Sequence, residues 1–229
     1  MKQYFITGTD TEVGKTYVTC HLLRAAGRAQ RRAIGYKPIA AGCDFVSGSW
    51  VNEDAANIQK ASSLNLPIET INPIALKPPI APHIAAVEEG VQLTEVAIKD
   101  GLTALQQNQP DLLLMEGAGG WRLPLTVGES GTPTHYLSDV VVGLNMEVIL
   151  VVGMRLGCLN HAILTAEAIR RDGLTIKGWV ANDITGNMTR YQENLASLKA
   201  MLPEPLLCEF PYRRAPQEEN LALLIKQLC

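Results

Sequence analysis

Short, nearly continuous apolar runs alternate along this chain with longer stretches at helical spacing. Residues 111–116 (DLLLME) and 147–152 (EVILVV) lack the in-and-out alternation of a half-exposed strand. They are expected as central strands covered on both faces, and a glycine follows each. Residues 2–7, 33–39 and 176–181 fit further strands, with 206–210 a weaker one. Apolar positions recur at a helical period over 16–29, 54–61, 93–106, 161–171, 190–201 and 218–228. Strands and helices in this alternation predict an α/β fold, a mostly parallel central sheet with helices on both faces. Pro67, Pro73, Pro78, Pro79 and Pro82 crowd one stretch and disfavour helix and sheet interiors, so it is expected to run extended or looped against the same core. Residues 126–133 (TVGESGTP) are the most loop-like remainder.

Composition narrows the class. At 229 residues, 47% apolar and 19% charged, the chain can bury a sizeable core, and 1–229 reads as one domain. Twenty basic against 23 acidic side chains leave a charge of −3, too balanced for an electrostatic footprint on nucleic acid or an anionic membrane. The most apolar stretch, 139–154, is interrupted by Asn145 and Glu147 and falls short of the ~20 residues that span a bilayer. The N-terminus has only Tyr4, Phe5 and Ile6 as an apolar block, too little for a secretory signal, so the cytoplasm is the expected compartment. Cys20, Cys43, Cys158, Cys208 and Cys229 are scattered, without C-x-x-C spacing, and read as reduced thiols. Trp121 and Trp179 read as core residues.

The chemistry concentrates at GTDTEVGKT, Gly8 to Thr16, where a first strand should end and a first helix begin. Phosphate oxygens need donors. A glycine turn into a helix N-terminus offers N–H groups and the positive dipole end, Lys15 can reach the outer phosphates, and the Thr16 hydroxyl can ligate Mg²⁺. This is a P-loop variant whose first glycine, Gly8, lies one residue earlier than the G-x-x-x-x-G-K-[ST] spacing requires. Mg²⁺ takes hard oxygen ligands and usually one or two carboxylates. Glu116 ends an apolar run before Gly117, Ala118, Gly119 and Gly120, which puts a carboxylate at the carboxyl end of a buried strand. Asp54, in VNEDAANIQ, fits metal ligation and helix capping equally, with Asn52 an alternative cap. Lys37 is a cation at a strand end, suited to phosphate or carboxylate, or else a surface lysine. Asn182 and Asp183 end another strand and fit either contact with a base or a turn. Asn160 is a candidate cap for the helix after Gly157.

Six blocks, GTDTEVGKT, GYKPIAAG, EDA, EGAGGW, VVGMRLGCLNHA and GWVAND, occur in an order that resembles the dethiobiotin synthetases, ATP-dependent carboxylases of biotin synthesis. The resemblance covers most of the chain and implies a homodimeric P-loop NTPase-like fold that uses ATP and Mg²⁺. The implied reaction joins 7,8-diaminononanoate and CO₂, or bicarbonate as its source, into a cyclic urea through a carbamate and its phosphorylated anhydride. Carried over, Glu12, Val13, Gly14, Lys15, Thr16 and Tyr17 hold ATP, while Thr16, Asp54 and Glu116 gather Mg²⁺. Lys15 and Lys37 balance the carbamate and phosphoryl charges, and Thr11 lies near the diamine. Glu116, Gly117, Ala118 and Gly119 approach the nucleotide, with Asn182, Asp183, Phe210, Pro211 and Tyr212 near the adenine. Gly157, Cys158, Leu159 and Asn160 reach across the dimer to the carboxylate end of the substrate. Ala41 stands where the family pattern has a serine beside the diamine, Arg155 where it has lysine, and 126–138 receives no role. Switch ATPases of the MinD or ParA kind carry an early lysine where this chain has Asp10, which favours the enzyme over the switch.

Overall fold

The computed structural model describes residues 1–46, 48–128 and 133–229. The chain begins with β1 (Lys2–Gly8), α1 (Lys15–Arg28), β2 (Ala33–Tyr36), β3 (Ile39–Ala41), β4 (Asp44–Val46), β5 (Ser49–Val51) and α2 (Glu53–Ala61). The proline-rich stretch carries α3 (Ile68–Ile71), β6 (Ile74–Leu76) and α4 (Pro82–Glu89), and α5 (Glu95–Gln106) leads into β7 (Leu112–Glu116). After β8 (Pro124–Thr126), β9 (His135–Tyr136) and α6 (Leu137–Gly143) come β10 (Glu147–Met154), α7 (Cys158–Arg171), β11 (Ile176–Asp183), α8 (Tyr191–Met201), β12 (Leu206–Phe210) and α9 (Glu218–Leu228).

Six strands form one parallel sheet in the order β12-β11-β10-β1-β7-β2. All five residues of β7 and seven of the eight in β10 are buried, the consequence of apolar runs covered on two faces. Helix α1 packs against α2 and α9, α5 against α6, and α7 against α8. From β1 the chain works toward one edge, then crosses after β7 to build the other. β1 therefore stands where the order reverses, and ligand crevices of open α/β sheets lie outside the carboxyl strand ends at such a point. Trp121 and Trp179 are buried, and all five cysteines are unpaired.

Several expected elements differ. The strand over 33–39 breaks after Tyr36: Pro38 has no N–H for a ladder, the Lys37 N–H bonds Ile71 O at 2.9 Å, and β3 pairs with β6 instead. The proline-rich stretch is not wholly extended, because Pro82 opens α4 at the first helical turn, where a missing N–H costs nothing. Helix α7 starts at Cys158 from a left-handed Gly157, so Asn160 lies in its first turn rather than capping it. Helix α6 occupies the front of the apolar stretch that begins near Asp139. Of the loop-like 126–133, residues 129–132 lie outside those described.

Candidate active site

Helix α1 starts from Gly14 at φ 84 with no side-chain cap, so its first N–H groups have no partner within the helix. Those groups border a cavity of about 910 Å³ lined by Lys15, Thr16, Lys37 and Asp54, among others. Gly14 is held closely, since a β-carbon there would collide with the Asn182 amide. That amide donates to Val13 O at 2.8 Å, tying the loop to the end of β11.

Glu116, wholly buried at the end of β7, is the hub. Its Oε1 accepts from Thr16 Oγ1 at 2.6 Å and from Lys37 Nζ at 2.7 Å, and its Oε2 lies 2.6 Å from the Thr19 hydroxyl. Lys37 Nζ also meets Asp54 Oδ2 at 3.3 Å. Burial alone would lower the Lys37 ammonium, but the Glu116 and Asp54 carboxylates outweigh it and hold it above the usual lysine value. Lys15 lacks such a partner. Burial first and the Lys37 charge second push it down to about 8, and its Nζ rests on Asp10 O at 3.1 Å. Two lysines of one site are thus set apart by their neighbours.

Asn52 settles the alternatives at α2: its Oδ1 accepts from Ala55 N, so Asn52 caps the helix and Asp54 is left to face the cavity. Asn52 Nδ2 donates to Ala41 O at 3.0 Å, which orders the wall where Ala41 stands. Thr16, Asp54 and Glu116 offer only oxygen donors, and both carboxylates already meet over one cation, the Lys37 ammonium. That donor set fits a hard divalent ion with one or two carboxylates.

The cavity also takes in Thr11, Glu12, Tyr17, Ala118 and Gly119. Gly117 stays behind them, its carbonyl 3.5 Å from Lys37 Nζ. Val13 is buried, its side chain filling the space beside Gly8 and Gly153, so it has only backbone to offer a ligand. The Phe210 ring is wholly buried, edge-on to Tyr17 and His21, and supports that wall rather than presenting a face to a base. Pro211 and Tyr212 are exposed beyond it. Asp183 Oδ1 accepts from the Thr185 and Gly186 N–H groups, as the turn alternative requires. Gly157, Cys158, Leu159 and Asn160 do not line the cavity, and Cys158 is buried. Thr19 escaped the sequence reading although it lies four residues after Lys15 on the same helix face. The wall from Pro79 to Pro82 also escaped it, because neighbouring prolines carry no chemical signal of a site.

A family model described as an AAA domain matches residues 2–220. The ATP-dependent dethiobiotin synthetase BioD of Alteromonas mediterranea is 73% identical over 232 residues, covering 100% of both chains. The protein of that name from Aeromonas hydrophila is 48% identical over 221 residues, 96% of this chain and 95% of the other. Among solved structures, the MinD cell division protein of Aquifex aeolicus superposes with a TM-score of 0.59 at 12% identity, covering 100% of this chain and 97% of that one. A ParA family ATPase from Chlorobium tepidum gives 0.55 at 13%, covering 99% and 90%. These two share the fold. The 73% and 48% identities reach further: the chain belongs to the ATP-dependent dethiobiotin synthetase family.

Proposed function

We propose that this cavity carries out the ATP-dependent closure of 7,8-diaminononanoate and CO₂ to dethiobiotin, and that a homodimer completes it. One observation carries the reading: a P-loop lysine and a second, carboxylate-held lysine face one cavity at the carboxyl edge of the sheet. An unprotonated amine of the substrate attacks CO₂, forming an N–C bond and shedding a proton to give a carbamate. The carbamate oxygen takes the γ-phosphoryl group of ATP as ADP leaves. The second amine then attacks the carbamoyl carbon and gives up a proton as phosphate departs, and the urea ring closes. Charge builds on oxygen throughout, so fixed cations and N–H groups supply most of what catalysis needs.

Lys15 and the first turn of α1 hold the phosphates. Lys37, kept cationic by Glu116 and Asp54, faces the carbamate and phosphoryl oxygens, with Thr11 and the Ala41 wall beside the diamine. Thr16, Asp54 and Glu116 would hold Mg²⁺, which when bound neutralises phosphate charge. Asn182, with Pro211 and Tyr212, lies on the adenine side, where Asn182 acts by fixing the P-loop. Gly157, Leu159 and the exposed Asn160 would serve the cavity of a second copy, and Cys158 supports that turn from the core.

Incubation with diaminononanoate, bicarbonate, Mg²⁺ and ATP should release phosphate in step with the cyclic urea. Lys37→Ala should slow this on the order of 10²-fold or more. Phosphate release that ignores the diamine would overturn the assignment.

A further inference from the structure

Asp10 has no part in the roles above, yet its three acceptor atoms join three parts of the site. Oδ1 accepts the Thr11 N–H at 2.8 Å, Oδ2 accepts Arg155 Nη2 at 2.5 Å, and its backbone carbonyl accepts Lys15 Nζ at 3.1 Å. Arg155 belongs to the turn between β10 and α7. The ladder between β1 and β10 ends at the Gly8–Val151 pair, followed only by the Thr9 N–H bond to Val151 O. Past that point the loop must place Glu12 at φ 58 and Gly14 at φ 84 without strand pairing. A left-handed glutamate persists only where its surroundings impose it.

We propose that Asp10 is a positioning residue: clamped by Arg155, it sets the P-loop and the Lys15 head group against the β10–α7 turn. The inference rests on reading the loop as the phosphate cradle. Stability is not what the pair supplies, because the two side chains are 46% and 36% exposed and such pairs contribute little. Nor does direct electrostatics favour the carboxylate. A negative charge beside a polyphosphate site opposes binding, and removing it should tighten ATP. Positioning predicts the reverse sign, which makes the two accounts separable.

The test is calorimetric titration of Mg²⁺ and ATP into the whole protein, with steady-state KM and kcat, for wild type, Asp10→Asn, Arg155→Met and the double variant. Each single change is expected to weaken ATP binding about tenfold and lower kcat, with the double variant no worse than either. Arg155→Lys, which keeps a cation within reach of the Asp10 carboxylate, should restore most of the loss. Tighter binding in Asp10→Asn, no effect in either single variant, or effects of opposite sign that add and cancel would each overturn the proposal. If Asp10→Asn failed to fold, Arg155→Met and Arg155→Lys would cut and restore the same clamp from its other end. A wild-type protein that did not bind ATP would instead sink the phosphate-cradle reading. Wild-type binding with additive variants would sink Asp10 alone.

Discussion

The two ends of the sheet's carboxyl edge are built on different plans. Around β1, β2 and β7, Lys15, Lys37 and Glu116 are buried and each has a bonding partner within the chain. Around the turn after β10 and beyond the end of β12, Phe210 and Cys158 anchor the chain in the core while several neighbours face outward: Leu156 is 95% exposed, and Asn160, Pro211 and Tyr212 are open to solvent. A preorganised charge cluster must be finished before substrate arrives, since fixed groups stabilise developing charge without rearranging at the moment of reaction. A surface that takes its partner from outside has no such requirement. The first region is therefore locked by its own fold, and the second is the face that the proposed dimer would complete.

Removing the hub separates the plans most sharply. Glu116→Ala strands the buried Lys37 ammonium with only Asp54, whose side chain is 49% exposed. It should lose about 3–5 kcal/mol of stability, the range for breaking a buried pair by deleting one partner. Asp54→Ala, which leaves Lys37 on Glu116, should lose roughly 0–1 kcal/mol. Urea unfolding of the two variants reads the difference, and equal losses would mean that the cluster is not locked through Glu116.

Legibility in the sequence divides along similar lines. DLLLME and EVILVV announced buried parallel strands because two-sided burial removes polar alternation, and Glu116 was readable from its place at such a strand's end. Lys15 and Thr16 were readable as cavity residues because the Gly-Lys-Thr spacing carries them to the start of α1 at the end of β1. Asp54 was not separable from Asn52 as a cap, because both carry the short polar side chain that capping needs; in the folded chain it is Asn52 that accepts the Ala55 N–H. Phe210 was placed near the adenine by the resemblance alone, and its packing on Tyr17 and His21 depends on the distance between β12 and α1, which no local pattern encodes. Pro82 misled for the opposite reason. A proline that breaks a helix interior also starts one, and the difference lies in a single position of register.

The open region is tested by charge. If the β10–α7 turn docks on a second copy, Leu156→Asp places a carboxylate in a desolvated contact and should weaken self-association at least about tenfold. Diamine turnover should fall with the dimer while ATP binding and single-chain stability stay close to wild type. Sedimentation across a concentration series checks the first part and calorimetry the second. Unchanged assembly would remove Leu156 from the interface.

The smallest effect lies within the locked region. Lys15 titrates near 8 because burial, and then Lys37, disfavour its charge, whereas a bound polyphosphate favours it. ATP binding should therefore drive a proton onto Lys15 wherever the free protein has left it neutral. The uptake should therefore be larger at pH 8.5 than below pH 7, where the free lysine is already charged. The phosphates do not confuse the count, since their last ionisation, at about 6, is complete by then. Binding enthalpies measured in buffers of different ionisation heat give the uptake directly, and Lys15→Arg, charged throughout, should abolish it. The same shift has a consequence for the free protein. With its folded pKa below the ordinary 10.5, the native state binds fewer protons than the unfolded chain between these values, so Lys15's contribution to stability rises as pH climbs from about 8 toward 10.5. Proton release on binding, or uptake that persists unchanged in Lys15→Arg, would mean that Lys15 is not the group sensing the phosphates, and the contrast between its pKa and that of Lys37 would lose its functional meaning.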